Sequence, residues 1–184
     1  MILLGIVGMP GAGKTEAANF FKEKGFEVLR FGSVIDEGLK EEGLQWSPEN
    51  NTYYREKIRK ELGMAGVAIK MMPKIKSALE SGKNIILDGI YSWEEYVYLN
   101  KEFSDLILLC IYARPQIRYD RLSKRKERTF TKKEARERDI NEIEATNKGG
   151  PIAIADYLIK NETKKEELYS QLDRFLKIFK DDLL

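Results

Sequence analysis

Gly8-Met9-Pro10-Gly11-Ala12-Gly13-Lys14-Thr15 fits the pattern G-x-x-x-x-G-K-[ST], and the rest of the chain is read outward from it. The apolar run Ile2-Leu3-Leu4-Gly5-Ile6-Val7 before it predicts a buried strand, and Thr15 to Lys24 predicts a helix. A loop with little side-chain bulk can wrap a phosphate chain with successive N–H groups turned inward. The N-terminus of the following helix adds partial positive charge. The pattern therefore assigns Gly8, Met9, Pro10, Gly11, Ala12, Gly13, Lys14 and Thr15 to nucleotide phosphates. Lys14 reaches the β/γ-phosphates and the Thr15 hydroxyl ligates Mg²⁺. A plain glycine turn between strand and helix needs neither the lysine nor the threonine.

Composition bounds what this loop can belong to. The chain has 184 residues, 42% of them hydrophobic and 34% charged, enough for one domain with a core and a small lid. A net charge of +2 does not point to nucleic acid. No apolar run approaches the ~20 residues of a membrane span, and Met1 leads straight into the first strand, so a cytoplasmic protein without a signal peptide is expected. Cys110 stands alone inside Leu106 to Tyr112, a context that predicts a buried strand residue rather than a reactive thiol. With no histidine in the chain, imidazole bases, histidine metal sites and Ser-His-Asp chemistry are excluded, and proton transfer falls to carboxylates.

In chain order, further strands are expected at 26–31, 84–89, 106–112 and 155–159, with helices between them. Gly32-Ser33 opens a helix, Ser47-Pro48 caps another, and Ala65 to Glu80 is a third that Pro73 kinks or splits. Ser92-Trp93-Glu94-Glu95, Thr131-Lys132-Lys133-Glu134 and Thr163-Lys164-Lys165-Glu166 are capping boxes. Gly149-Gly150-Pro151 breaks the helix that begins after Thr131. The last helix buries Leu168, Leu172, Phe175, Leu176 and Phe179 at helical spacing. Near-continuously apolar strands alternating with helices predict an α/β fold of three α/β/α layers around a five-stranded parallel sheet.

Two features beyond the loop bear on chemistry. Asp88 closes a predicted strand, where a second acidic residue can bind the Mg²⁺ of such a site. Between Arg114 and Arg138 eleven basic residues face four acidic ones, and Arg118, Arg121 and Arg125 share a helix side at i, i+3 and i+7. Guanidinium groups suit phosphoryl oxygens, and a lid carrying them would exclude water. Arg121 and Arg125, with Lys14 and Asp88, are the catalytic candidates.

The glycine loop, Phe31-Gly32-Ser33, Leu87-Asp88-Gly89, the arginine-rich segment and Ala155-Asp156-Tyr157-Leu158-Ile159-Lys160-Asn161 stand in the order found in adenylate kinase and its relatives. The chain most resembles a largely archaeal family of adenylate-kinase-related P-loop proteins, and the last motif is similar to dephospho-coenzyme A kinases. The resemblance extends to about Asn161. It implies a single kinase domain over residues 1–184, with acceptor-binding helices at about 33–63 and a lid at about 118–138. It implies ATP and Mg²⁺ as cofactors and a small-molecule nucleotide acceptor. Where relatives hold an acceptor phosphate with two arginines, this chain has Asp36 and Tyr91; Arg55 or Arg59 could substitute. Ser33, Asp36, Arg55, Arg59 and Tyr91 are accordingly the substrate-binding candidates. A phosphate acceptor needs no general base. A hydroxyl acceptor, as in dephospho-coenzyme A or nucleoside kinases, could use Asp36, and a nucleotide-binding regulator without transfer activity is the alternative of another class.

Overall fold

The computed structural model describes residues 1–125 and 129–181; Lys126 and Arg128 of the basic segment lie outside the described residues. Five strands, β1 (Leu3–Val7), β2 (Glu27–Arg30), β3 (Ile85–Asp88), β4 (Ile107–Tyr112) and β5 (Tyr157–Lys160), form one sheet in the order β2-β3-β1-β4-β5. Every pairing is parallel, with Gly5 of β1 level with Leu87 on one side and Leu108 on the other. The strand that feeds the glycine loop is thus central.

Alternation along each strand divides the core in two. Leu3, Val7, Ile85, Leu87, Leu108 and Cys110 face α2 (Gly32–Glu41), α3 (Pro48–Leu62), α4 (Gly66–Glu80) and α5 (Trp93–Glu102). Leu4, Ile6, Ile86, Leu109 and Ile111 face α1 (Lys14–Glu23) and α9 (Lys165–Asp181). On that second face Phe21 meets Phe20, Phe26 and Phe175 edge-on. Burying one such side chain stabilises the fold by roughly 1.5–3 kcal/mol, so the sheet is held from both sides. The five residues of α9 expected to be buried all are. Cys110 is buried and its thiol is pushed above its usual value by burial, which suits packing and not nucleophilic chemistry.

Local signals set the helix starts. Ser47 caps α3 by accepting from the Asn50 N–H at 3.1 Å, and the boxes at Ser92 and Thr131 both close. Such caps contribute about 1 kcal/mol each. Four expectations are corrected. Pro73 does not divide α4, which runs through it as one helix. The Thr163 box does not set the start of α9, which begins at Lys165, one residue later. The helix from Pro115, α6 (Pro115–Ser123), stops at Ser123, so Arg125 is not on a face shared with Arg118 and Arg121. After α7 (Lys132–Glu144) the chain turns at Thr146 to Lys148, and Pro151 sits inside a short α8 (Gly149–Ala153) instead of ending a helix.

Candidate functional site

All five strands run the same way, so their C-terminal ends deliver Gly8, Arg30, Asp88, Ala113 and Asn161 to one edge of the sheet. The glycine loop crosses this edge. Gly8 has φ +142°, and a Cβ there would lie 2.3 Å from the Ile111 carbonyl oxygen; at Gly13, with φ +106°, it would lie 2.1 Å from Asn161 Nδ2. The loop is pressed onto its neighbours so closely that only glycine fits, leaving the concave side for backbone N–H groups.

The neighbours that hold the loop come from far along the chain. Asn161 donates from Nδ2 to the Ala12 carbonyl at 2.8 Å, just past the end of β5. Arg118 donates to the Pro10 carbonyl at 3.0 Å and to the Ala113 carbonyl at 2.9 Å. Its guanidinium also forks onto Asp139 at 2.9 and 2.6 Å, and the Tyr119 hydroxyl donates to the same carboxylate. Arg118 is 4% exposed. It is a buttress beneath the loop and not a phosphate clamp, because the helix side it shares with Leu122 is the buried one.

Lys14 is half-buried, and its ammonium donates to the Gly8 carbonyl at 2.8 Å and to the Met9 carbonyl at 3.3 Å. Burial, and then the charge of Lys148, lower its pKa to about 7. Thr15 is exposed at the first turn of α1. Asp88, paired in register with Ile6 and Arg30, is half-buried at the end of β3. Burial raises its carboxyl above the usual range against the pull of Lys14, Arg30 and Lys148. Among the described residues no cluster of three or more His, Cys, Asp or Glu side chains forms a metal cage. A hydroxyl and one carboxylate beside a phosphate cradle suit Mg²⁺, which keeps phosphate oxygens and water as its other ligands.

A cleft of ≈ 1160 Å³ opens above the loop and brings Lys14, Thr15, Asp88, Tyr91, Arg55 and Arg59 together. Arg55 donates to Asn51 at 2.9 Å and lies 5.0 Å from the centre of the Tyr91 ring. Burial, then the charge of Arg55, lower the Arg59 guanidinium from its usual value. Neither arginine is in an ion pair among the described residues. Asp36 reaches the rim, where it is paired with Arg30 and not with Arg55 or Arg59. Ser33 is not brought into the cleft, whose wall passes from Gly32 to Asp36. Arg121 makes long contacts to the Gly11 carbonyl, 3.5 Å, and to Asn161 Oδ1, 3.4 Å, and Arg125 lines the outer wall. A second pocket of ≈ 650 Å³ continues from the rim along Asp36, Leu39, Leu44 and Trp46.

Several groups here were missed by the sequence reading. Asn161 could have been found by the argument used for Asp88, since it too follows a strand end. Glu95 reads as a cap, yet it is buried and receives the Tyr91 N–H at 2.7 Å, and burial raises its carboxyl to about 7. Glu142, Arg138 and Lys148 form a network where α7 and the turn after it border the cleft, and nothing in their spacing signals it.

A family model described as an AAA domain matches residues 4–144. A UPF0200 protein of Methanocaldococcus jannaschii is 34% identical over 96% of this chain and 89% of its own. Another, of Pyrococcus abyssi, is 37% identical over 88% of each chain. Among solved structures, a shikimate kinase from Bacteroides thetaiotaomicron superposes with TM-score 0.61 at 14% identity, covering 96% of this chain and 98% of that one. A gluconokinase from Sinorhizobium meliloti gives TM-score 0.58 at 11% identity, covering 99% and 95%. These likenesses are of fold, and they agree with the parallel five-stranded sheet and its loop. No described helix is long and apolar enough to cross a membrane. The chain belongs to the UPF0200 family, and residues 4–144 of it to the family described as an AAA domain.

Proposed function

We propose that this chain is an ATP-dependent phosphotransferase that moves the γ-phosphoryl group to a nucleoside monophosphate or related nucleotide, in the manner of adenylate kinase. The observation that carries the reading is the pair Arg55 and Arg59. Two guanidinium groups with no direct ion pair among the described residues line the same cleft as Lys14, and the buried Glu95 is the one buried carboxylate whose charge acts on both. Two guanidiniums against one buried carboxylate leave an excess of positive charge, which is costly in a half-buried site unless an anion arrives to use it.

In this reading the loop amides and Lys14 hold the donor phosphates, and Thr15 and Asp88 hold Mg²⁺. The metal supplies charge neutralisation between donor and transferred group. Arg55 and Arg59 orient the acceptor phosphate in line, and α6 and α7 close over the site as a lid with Arg121 and Arg125 on its inner side. Exclusion of water protects the transferred group from hydrolysis. The acceptor phosphate attacks as an anion and needs no base, which agrees with Asp36 being engaged by Arg30. The pocket beside Leu39, Leu44 and Trp46 offers an apolar wall for the organic part of the acceptor.

The test is ATP turnover alone and against a panel of AMP, other monophosphates, nucleosides and dephospho-coenzyme A. Turnover that depends on a monophosphate supports the proposal. Turnover with a hydroxyl acceptor alone would move the assignment to that class. ATP binding without acceptor-dependent turnover would make the chain a nucleotide-binding regulator.

A further inference from the structure

Lys148 is a charged side chain with 2% exposure, and its ammonium has a place in the cleft wall. It sits 4.4 Å from the centre of the Tyr91 ring and is ion-paired with Glu142. Glu142 also receives Arg138 at 2.9 Å, so one carboxylate serves two cations and the trio keeps a net positive charge. Burial works to raise the Glu142 carboxyl, but its two ion pairs win and hold it below the usual range. Lys148 is close enough to Lys14 and Asp88 for its charge to act on both.

The backbone around Lys148 is anchored. Asn147, with φ +50°, donates from its side chain to Glu94 of α5 at 2.7 Å. Gly150 packs so tightly on Trp93 that a Cβ would lie 2.7 Å from its ring. The Lys148 N–H donates to the Glu142 carbonyl at 3.3 Å. Thus Lys148 belongs to the scaffold beside α5, whereas Arg121 and Arg125 lie on or just beyond α6. A solvated structural ion pair has no reason to hold two cations on one carboxylate beside a second lysine. Like charges gathered in a half-buried wall raise the energy of the ligand-free protein and are stabilised together by a polyanion.

We propose that Lys148 is a catalytic residue whose ammonium, held by Glu142 and the Tyr91 face, binds the terminal phosphoryl oxygens of ATP opposite Lys14. The assignment rests on the phosphotransferase reading for its role in transfer. In that step the bond from γ-phosphorus to the bridging oxygen breaks and its electron pair stays on the ADP oxygen. The acceptor phosphate oxygen forms the new bond to γ-phosphorus. Lys148 keeps its proton throughout and only stabilises charge. A cation placed there discriminates ATP from ADP.

The experiment measures ATP and ADP affinity by calorimetry for the wild type, Lys148→Met and Lys148→Arg, with thermal unfolding as a check on the fold. In Lys148→Met the ATP affinity is expected to fall about 10- to 100-fold, the range for one charged hydrogen bond. ADP affinity should stay within about twofold, since the lost contact is to a group ADP lacks. Lys148→Arg should keep most of the ATP preference. If Lys148→Met does not fold, Lys148→Gln carries the test, because it removes the charge and keeps a donor toward Glu142. An unchanged ATP-to-ADP ratio, or equal weakening of both nucleotides, overturns the proposal. The ratio is read without an acceptor. Collapse of the ratio with no transfer to any acceptor in the wild type would therefore sink the phosphotransferase reading and the catalytic role, and leave standing the binding of the terminal phosphate by Lys148.

Discussion

The loop floor and the acceptor wall of the same cleft are built on opposite principles. In the floor every neighbour is fixed: Ile111, Arg118 and Asn161 press on the loop, and buried polar groups there are paired. In the proposed acceptor wall the charges sit on long side chains, with a surface pair at Arg30 and Asp36 and, at Arg55 and Arg59, guanidiniums with no direct ion pair among the described residues. A rigid floor suits a donor whose phosphates must lie in one geometry. A wall of long cationic side chains can adjust to an acceptor, and its specificity depends on what those side chains meet.

The largest effect that would break this contrast is on stability. Arg118→Met leaves the Asp139 carboxylate buried without its partner and should lower the unfolding free energy by about 3–5 kcal/mol. Denaturant titration measures it, and Arg118→Met combined with Asp139→Leu should recover a large part. If the single variant were as stable as the wild type, the floor would not be held as described.

Next comes Lys14, whose ammonium rests on the Gly8 and Met9 carbonyls and, in the proposed reading, turns to the donor phosphates. Lys14→Ala should reduce phosphoryl transfer by at least ~100-fold, the scale of one strong contact to the transition state. A rate within a factor of two of the wild type would refute the phosphate-loop assignment. The same residue makes a pH prediction. Its folded pKa is about 7 against an ordinary 10.5, so the ligand-free folded state binds fewer protons than the unfolded state between those values. This group's contribution to stability therefore rises with pH across that window, and Lys14→Ala should gain most thermal stability at or below pH ~7. A bound polyphosphate favours the charged ammonium. ATP binding near pH 8 should then take up protons, detected by calorimetry in buffers of different ionisation heat, and Lys14→Ala should abolish the uptake.

The smallest effect belongs to the acceptor wall. An exposed ion pair contributes about 0–1 kcal/mol, so Asp36→Asn should leave stability and monophosphate turnover within about threefold of the wild type. Steady-state rates against the acceptor panel read it. A loss of ~10²-fold or more with a hydroxyl acceptor would show a general base and replace the phosphate-acceptor reading.

The fold class, the glycine loop between strand and helix and most helix starts were legible in the residues because each rests on local chemistry. Glycine at Gly8 and Gly13 reports a backbone conformation, and Ser92 with Glu95 reports a cap, wherever the rest of the chain goes. Arg118 was misjudged for the complementary reason. Helical spacing places it beside Arg121, but which side of α6 meets the core is decided by Asp139 of α7 and by the loop itself.

Asp36 shows the same limit. Its pairing with Arg30 joins the end of β2 to α2, a matter of side-chain reach that spacing does not encode. The network of Lys148, Glu142 and Arg138 acquires its place only when α7 crosses the cleft and the turn at Asn147 is fastened to α5. The sequence by itself determined the glycine loop between β1 and α1, since that needs only a local backbone shape. Tertiary structure alone decided which distant charges share the cleft, since Coulomb interactions depend on separation in space and not along the chain.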